Sequence, residues 1–291
     1  QWICSRRGVL DVFRSHYLRE MNGRASEWGI STRDGVSLDT DELVELLAAH
    51  HLRLIETWQG FTPAQWARQS RNTEWTVHQT VRHVADAMER VVAAANGEPA
   101  LDTNDFDPRS TPTAWLTGSD GESPGVTIER FAEASTSHRA RVSDRFASGD
   151  TAHERTVYGT AHWTVNVVHV LWDSWLHERD VLLPLGQPAP SSEEEERLVG
   201  LYGLLMALVP SMTFEQSVSS TVQLSGIGIR TIEVTCDAGS LRSVEVPATT
   251  ASISGATAAA IDALAGRGDA VADVLPGAPE QLSFLAAFFN S

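Results

Sequence analysis

A chain of 291 residues with 42% hydrophobic and 21% charged residues is globular, long for one domain and comfortable for two. Its formal net charge of −16, with no basic run, makes nucleic acid and anionic membranes poor partners, since both need clustered positive charge. All 22 basic residues are arginine, which excludes Schiff-base and lysine general-base chemistry.

The opening "QWICSRRGVLDVFRSHYLREM" has arginines but no sustained apolar core, so it is a poor signal peptide. Residues 1–38 carry no assigned role. The first periodic segment is "DTDELVELLAAHHLRLIETWQG", where Leu43, Leu46, Leu47, Leu54 and Trp58 recur at helical spacing behind Asp39 or Thr40 as cap. "EWTVHQTVRHVADAMERVVAAANGE" predicts a second helix. Thr76 and Gln79 form a capping box there, with Val77, Val81, Ala85, Met88 and Val92 as the apolar stripe. Residues 98–125, rich in Asp, Pro, Ser, Thr and Gly, read as a long loop of the kind that covers a site. "GVTIERFAEASTSHRARVSDRFASGD", "HWTVNVVHVLWDSWLHERDVLLPLG" and "SSEEEERLVGLYGLLMALVPSM" predict three more helices, and these lengths and joins suit an antiparallel bundle.

Near residue 218 the pattern changes. "SVSSTVQLSG", "IRTIEVTC" and "RSVEVPATTASISG" alternate with period two, and "ATAAAIDALAGRGD" and "APEQLSFLAAFF" follow as short helices. The expected division is therefore an N-terminal extension over 1–38, a helical bundle over 39–217 and a small α+β domain over 218–291. Cys4 and Cys236 are too few for a disulfide framework or a cysteine zinc cage, so a reduced, cytoplasmic setting is expected. No stretch reaches the roughly 18 apolar residues of a membrane span.

The fourth helix carries the chemistry. At about 100° per residue, and with Asp173 at zero, His162, Asn166, His169, His177 and Asp180 all fall within about 40° of it. Val167, Val168, Leu171, Trp172, Trp175 and Leu176 cover most other directions, while Glu178 and Arg179 point away near the end. A solvated stripe normally carries long charged side chains. One built only of His, Asp and Asn on a helix apolar nearly all round points instead into a site within the bundle. Asp173 and His177, at i and i+4, can reach one cation. A third ligand must come from elsewhere: His83 on the second helix is the best candidate, with His50 and His51 on the first as rivals.

"EWTVHQTVRHVADAM" resembles the motif Trp-Ser/Thr-Val-x-Asp/Glu/Gln-x-Val-x-His-Leu/Val of the DinB-like superfamily, in particular its mycothiol-dependent maleylpyruvate isomerase family. "LWDSWLHERDV" resembles the second signature of that family, Glu-x-x-x-His with an Asp three residues on. The resemblance covers about residues 39 to 291. It implies a fold that is mainly α with α+β, a DinB-like antiparallel four-helix bundle followed by a small sterol-carrier-like α+β domain.

It also implies a divalent metal, usually zinc, held by His83, Asp173 and His177. Asp173 is the departure, a carboxylate one methylene shorter than the usual Glu. Asp180 matches the Asp after the signature and orients a ligand histidine. Arg267 in "LAGRGD" matches, more weakly, an arginine that helps bind an anionic group. His169 and Asn166 become pocket residues for the thiol cosubstrate. The implied chemistry is attack by mycothiol, activated at the metal, on an electrophilic small molecule, giving cis–trans isomerisation or S-transfer in a monomer or homodimer. A lysine-free, arginine-rich chain is compatible with an actinobacterial, mycothiol-producing host. Two alternatives stand beside this reading: a non-catalytic DinB-like ligand-binding or regulatory module, and a thiol-independent metal hydrolase or cyclase.

Overall fold

The computed structural model describes residues 28–31, 40–96, 110–156, 159–213, 216–237, 240–247 and 251–289. Cys4, and most of the segments 1–38 and 98–109, lie outside them. Four long helices form the bundle: α1 (Thr40–Gln59), α3 (Val77–Ala95), α5 (Pro124–Ala147) and α6 (Trp163–Leu182). A single turn, α2 (Pro63–Trp66), sits between the first two. The capping box at the start of α3 forms as the sequence requires: Thr76 accepts from the Gln79 N–H while the Gln79 side chain accepts from the Thr76 N–H.

Within the segment read as a long loop, residues 111–119 instead form α4 (Thr111–Leu116) and a 3-10 turn (Thr117–Ser119) that pack on α3. Their backbone polar groups are satisfied locally, which a Pro-, Ser- and Thr-rich composition conceals. A two-stranded hairpin, β2 (His153–Thr156) with β3 (Gly159–His162), precedes α6. Because β3 runs to His162, that residue caps α6 rather than joining the polar stripe, and its Nδ1 pairs with the Thr164 hydroxyl at 2.8 Å.

α6 is the axis of the molecule. Of its 20 residues 15 are buried, so the nearly all-round apolar pattern reflects burial on several sides. Val170 and Val181 join the bundle core with Leu54, Val81, Met88 and Phe131. Leu171, Trp172, Trp175 and Leu176 face a second core built on α7 (Glu193–Ala207), the C-terminal sheet and α9 (Thr257–Leu264). Burying side chains of that size stabilises by about 1.5–3 kcal/mol each.

The sheet has five strands. β4 (Val218–Ser225), β5 (Ile229–Asp237) and β6 (Ser240–Val246) form an antiparallel meander. β7 (Ile253–Ala256) runs parallel to β4 on one edge, and β1 (Trp28–Ser31) runs parallel to β6 on the other. Period-two alternation turns Val222, Leu224, Ile232 and Val234 inward onto α7. The approach is close: a Cβ on Gly200 would sit 3.0 Å from Leu224 Cδ1, and one on Gly203 only 2.7 Å from Ile261 Cδ1. Glycine at those positions lets helix and sheet share one core, which runs without a break across residue 218. α8 (Val209–Thr213) lies between α7 and β4, and α10 (Val271–Val274) and α11 (Phe284–Phe289) are the last helices. Among the described residues no helix is long and apolar enough to cross a membrane.

Candidate metal centre

α3 and α6 pack side by side, and their facing sides bring His83, Asp173 and His177 together. One ligand atom from each lies within 4.8 Å of the others. The carboxylate sits between the imidazoles: Oδ2 is 4.0 Å from His83 Nε2 and Oδ1 is 3.6 Å from His177 Nε2. The two rings meet edge to face, with centroids 4.9 Å apart. Two imidazole nitrogens and one carboxylate oxygen at this spacing are donors that could hold a divalent metal.

The protonation states suit that use. Burial, aided by the neighbouring His177, pushes the His83 imidazole down to about 3, so it is neutral near pH 7. Burial pulls Asp173 upward, but His177, His83 and His169 outweigh it and hold the carboxyl below its ordinary range. Asp173 is thus an anion beside the neutral His83 ring. The site fits a cation better than it fits the bare donors.

His177 is braced from behind. Its Nδ1 lies 3.1 Å from Oδ2 of Asp180, which is fully buried. Asp180 also accepts from Arg71 Nε at 2.9 Å and from Arg267 Nε at 2.9 Å. Burial raises the Asp180 carboxyl, yet Arg267, His177 and Arg71 together hold it well below the usual carboxylate range. An ionised Asp180 accepts the Nδ1–H of His177 and leaves Nε2 as the lone-pair nitrogen, turned to Asp173. The network continues to Asp262 on α9, which accepts from Arg71 at 2.7 and 2.9 Å and from Arg179 at 2.6 Å.

His83 is held differently. Its Nδ1 is buried without a hydrogen-bond partner among the described residues, and the Trp75 ring lies tilted against it with centroids 4.8 Å apart.

The remaining sequence-derived residues fall around this centre. His169, half-buried one turn before Asp173, has its Nδ1 2.8 Å from the Tyr202 hydroxyl, and burial lowers its pKa. Asn166, also half-buried, lies on the same face about two turns before Asp173. Arg267 reaches the site, but through Asp180: Nε binds that carboxylate and Nη1 the Ala265 carbonyl.

The rival histidines are elsewhere, their rings 5.8 Å apart and set against different neighbours of α1. His50 lies between Ser174 Oγ and Glu195 Oε1, at 2.9 Å from each, and His51 packs edge-on against Phe131. Glu178 does point away from the stripe, into a buried pair with Arg53 at 3.0 Å. Arg71, Trp75 and Tyr202 were not singled out from sequence. Only Trp75 carried a signal, standing at the head of the capped motif.

A family model described as the DinB superfamily matches residues 16–178, a span that includes all three candidate ligands. Among solved structures, the crystal structure of a mycothiol-dependent maleylpyruvate isomerase is similar in fold, with a TM-score of 0.51 at 15% identity. It covers 82% of this chain and 92% of its own. A histidine-to-alanine mutant of such an isomerase gives a TM-score of 0.52 with the same identity and coverage. Among curated proteins no sequence matches the chain.

Proposed function

The chain belongs to the DinB superfamily, and from that premise we propose that it is a metal-dependent enzyme using mycothiol on an electrophilic small molecule, as a cis–trans isomerase or S-transferase. The observation that carries the reading is the convergence of His83, Asp173 and His177 within 4.8 Å, neutral imidazole beside ionised carboxylate.

His83, Asp173 and His177 would hold a divalent cation, zinc being the usual one, and its positive charge would lower the pKa of a thiol bound there. The chain's own residues do the rest. Asp180 keeps the His177 Nδ1–H in place, so Nε2 remains a donor atom. Trp75 covers His83 with apolar surface and limits water there, while Trp172 packs beside His169. His169 and Asn166 form the polar wall along which the thiol cosubstrate lies, with His169 fixed by Tyr202. Arg267 places a cation beside the centre that favours an anionic group on substrate or thiol.

The test is turnover of an electrophilic cis-alkene acid by zinc-loaded protein, with and without mycothiol. Mycothiol-dependent isomerisation or adduct formation, abolished by His177→Ala, is the expected result. Turnover that ignores the thiol gives the hydrolase or cyclase reading. A stable protein indifferent to both zinc and thiol gives the non-catalytic module.

A further inference from the structure

The turn from Gln69 to Trp75, "QSRNTEW", contributes no ligand, yet it touches the support of both ligand histidines. We infer that this turn is a bracket that positions the metal centre, with Arg71 acting on His177 through Asp180 and Trp75 acting directly on the His83 ring. The inference rests on the metal-centre reading above.

The bracket is built rigidly. The Trp75 carbonyl accepts from Ser70 N at 3.1 Å, Ser70 Oγ at 2.8 Å and Gln69 Nε2 at 2.6 Å. The Trp75 N–H donates to the Asn72 carbonyl at 3.2 Å, and the Val77 N–H to the Arg68 carbonyl at 2.8 Å. The next residue, Thr76, is the N-cap of α3, so the cap fixes where Trp75 leaves that helix. The far end of the tryptophan is also held, by Nε1 donating to the Thr113 hydroxyl of α4 at 3.2 Å.

Each arm then reaches one ligand. The Arg71 N–H donates to the backbone carbonyl of Asp180 at 2.8 Å and its Nε to the Asp180 carboxylate at 2.9 Å, fastening the turn to α6 beside His177. Its two Nη atoms grip Asp262 on α9. Trp75, 5% exposed, lies against His83 at 4.8 Å and within 6.2 Å of the His177 ring. Because His83 Nδ1 has no hydrogen bond among the described residues to set the ring's angle, the tilted indole packed against it is what stops the ring turning away. Trp75 and Arg71 are therefore positioning residues.

The experiment titrates metal-free protein with cobalt(II), reading the visible ligand-field bands and the affinity, with the circular-dichroism melt as a fold control. Trp75→Leu and Arg71→Met are each expected to weaken cobalt binding about tenfold and to shift the bands, as loss of support behind a ligand does. Trp75→Phe keeps an aromatic face and is expected to restore both. Trp66→Leu, a buried tryptophan of the bundle core, is expected to lower the melt and leave the bands unchanged. Should Trp75→Leu not fold, Arg71→Met and Trp75→Phe still decide. Wild-type bands and affinity in Trp75→Leu or Arg71→Met overturn the bracket and leave the metal centre standing. A wild-type protein that binds no cobalt overturns both.

Discussion

The two helices that carry the candidate ligands hold their histidines by different physics. On α6, His177 hangs from a buried carboxylate that two arginines keep ionised. On α3, His83 packs against an aromatic ring and, among the described residues, makes no hydrogen bond through Nδ1. Each arrangement recurs in the bundle. His50 sits on Glu195, which also binds Arg53, whereas His51 and His138 are packed side by side, each with a buried ring nitrogen lacking a partner. Carboxylate-held rings have a fixed tautomer and a large penalty for truncation. Packed rings are kept neutral by burial, and acid is what unsettles them.

The contrast is sharpest at Asp180. Asp180→Ala leaves the Arg71 and Arg267 guanidiniums beside an emptied anion position and frees the tautomer of His177. It is expected to cost about 3–5 kcal/mol of stability by urea unfolding and about 10–100-fold in metal affinity by competition with a chelator. A variant as stable as wild type would break the comparison.

The packed class is tested next, by pH. Burial, then the charge of Arg139, push His138 down to about 4, so it stays neutral in the fold while the unfolded chain takes up a proton below about 6.5. The unfolded state therefore binds the extra proton. Stability is present above that pH and falls between about 6.5 and 4 by up to about 1.4 kcal/mol per pH unit for this group. His138→Leu should flatten the slope by up to one proton; an unchanged slope would contradict burial as the cause.

A smaller effect is expected at the ligand that departs from the family motif. Asp173→Glu extends the carboxylate by one methylene toward two imidazoles 3.6 and 4.0 Å away. It should keep the metal and change affinity by less than about tenfold, while Asp173→Ala should lose it, both read by metal analysis.

The same contrast explains what could be read from sequence. The helices and the His–Asp stripe follow from periodicity, and the i, i+4 pair on α6 needs only one helix to be recognised. Packing His83 against that pair needed the family motif, because the ligands are some ninety residues apart. Asp180 was legible as an orienting residue. Its partners were not: Arg71 and Arg267 lie 109 and 87 residues away, and Arg71 sits in a turn with no period. α4, the β2–β3 hairpin and β1 are too short to show a pattern, and tertiary contact decides them. Glu178 lies off the stripe as the periodicity requires, but its burial against Arg53, 125 residues away, was not legible.

The most direct measurement is the metal content of purified protein by elemental analysis. The account predicts about one equivalent of zinc or another divalent metal in the wild type, and a sharp loss in His83→Ala, Asp173→Ala and His177→Ala. Metal content that all three substitutions leave unchanged would contradict it.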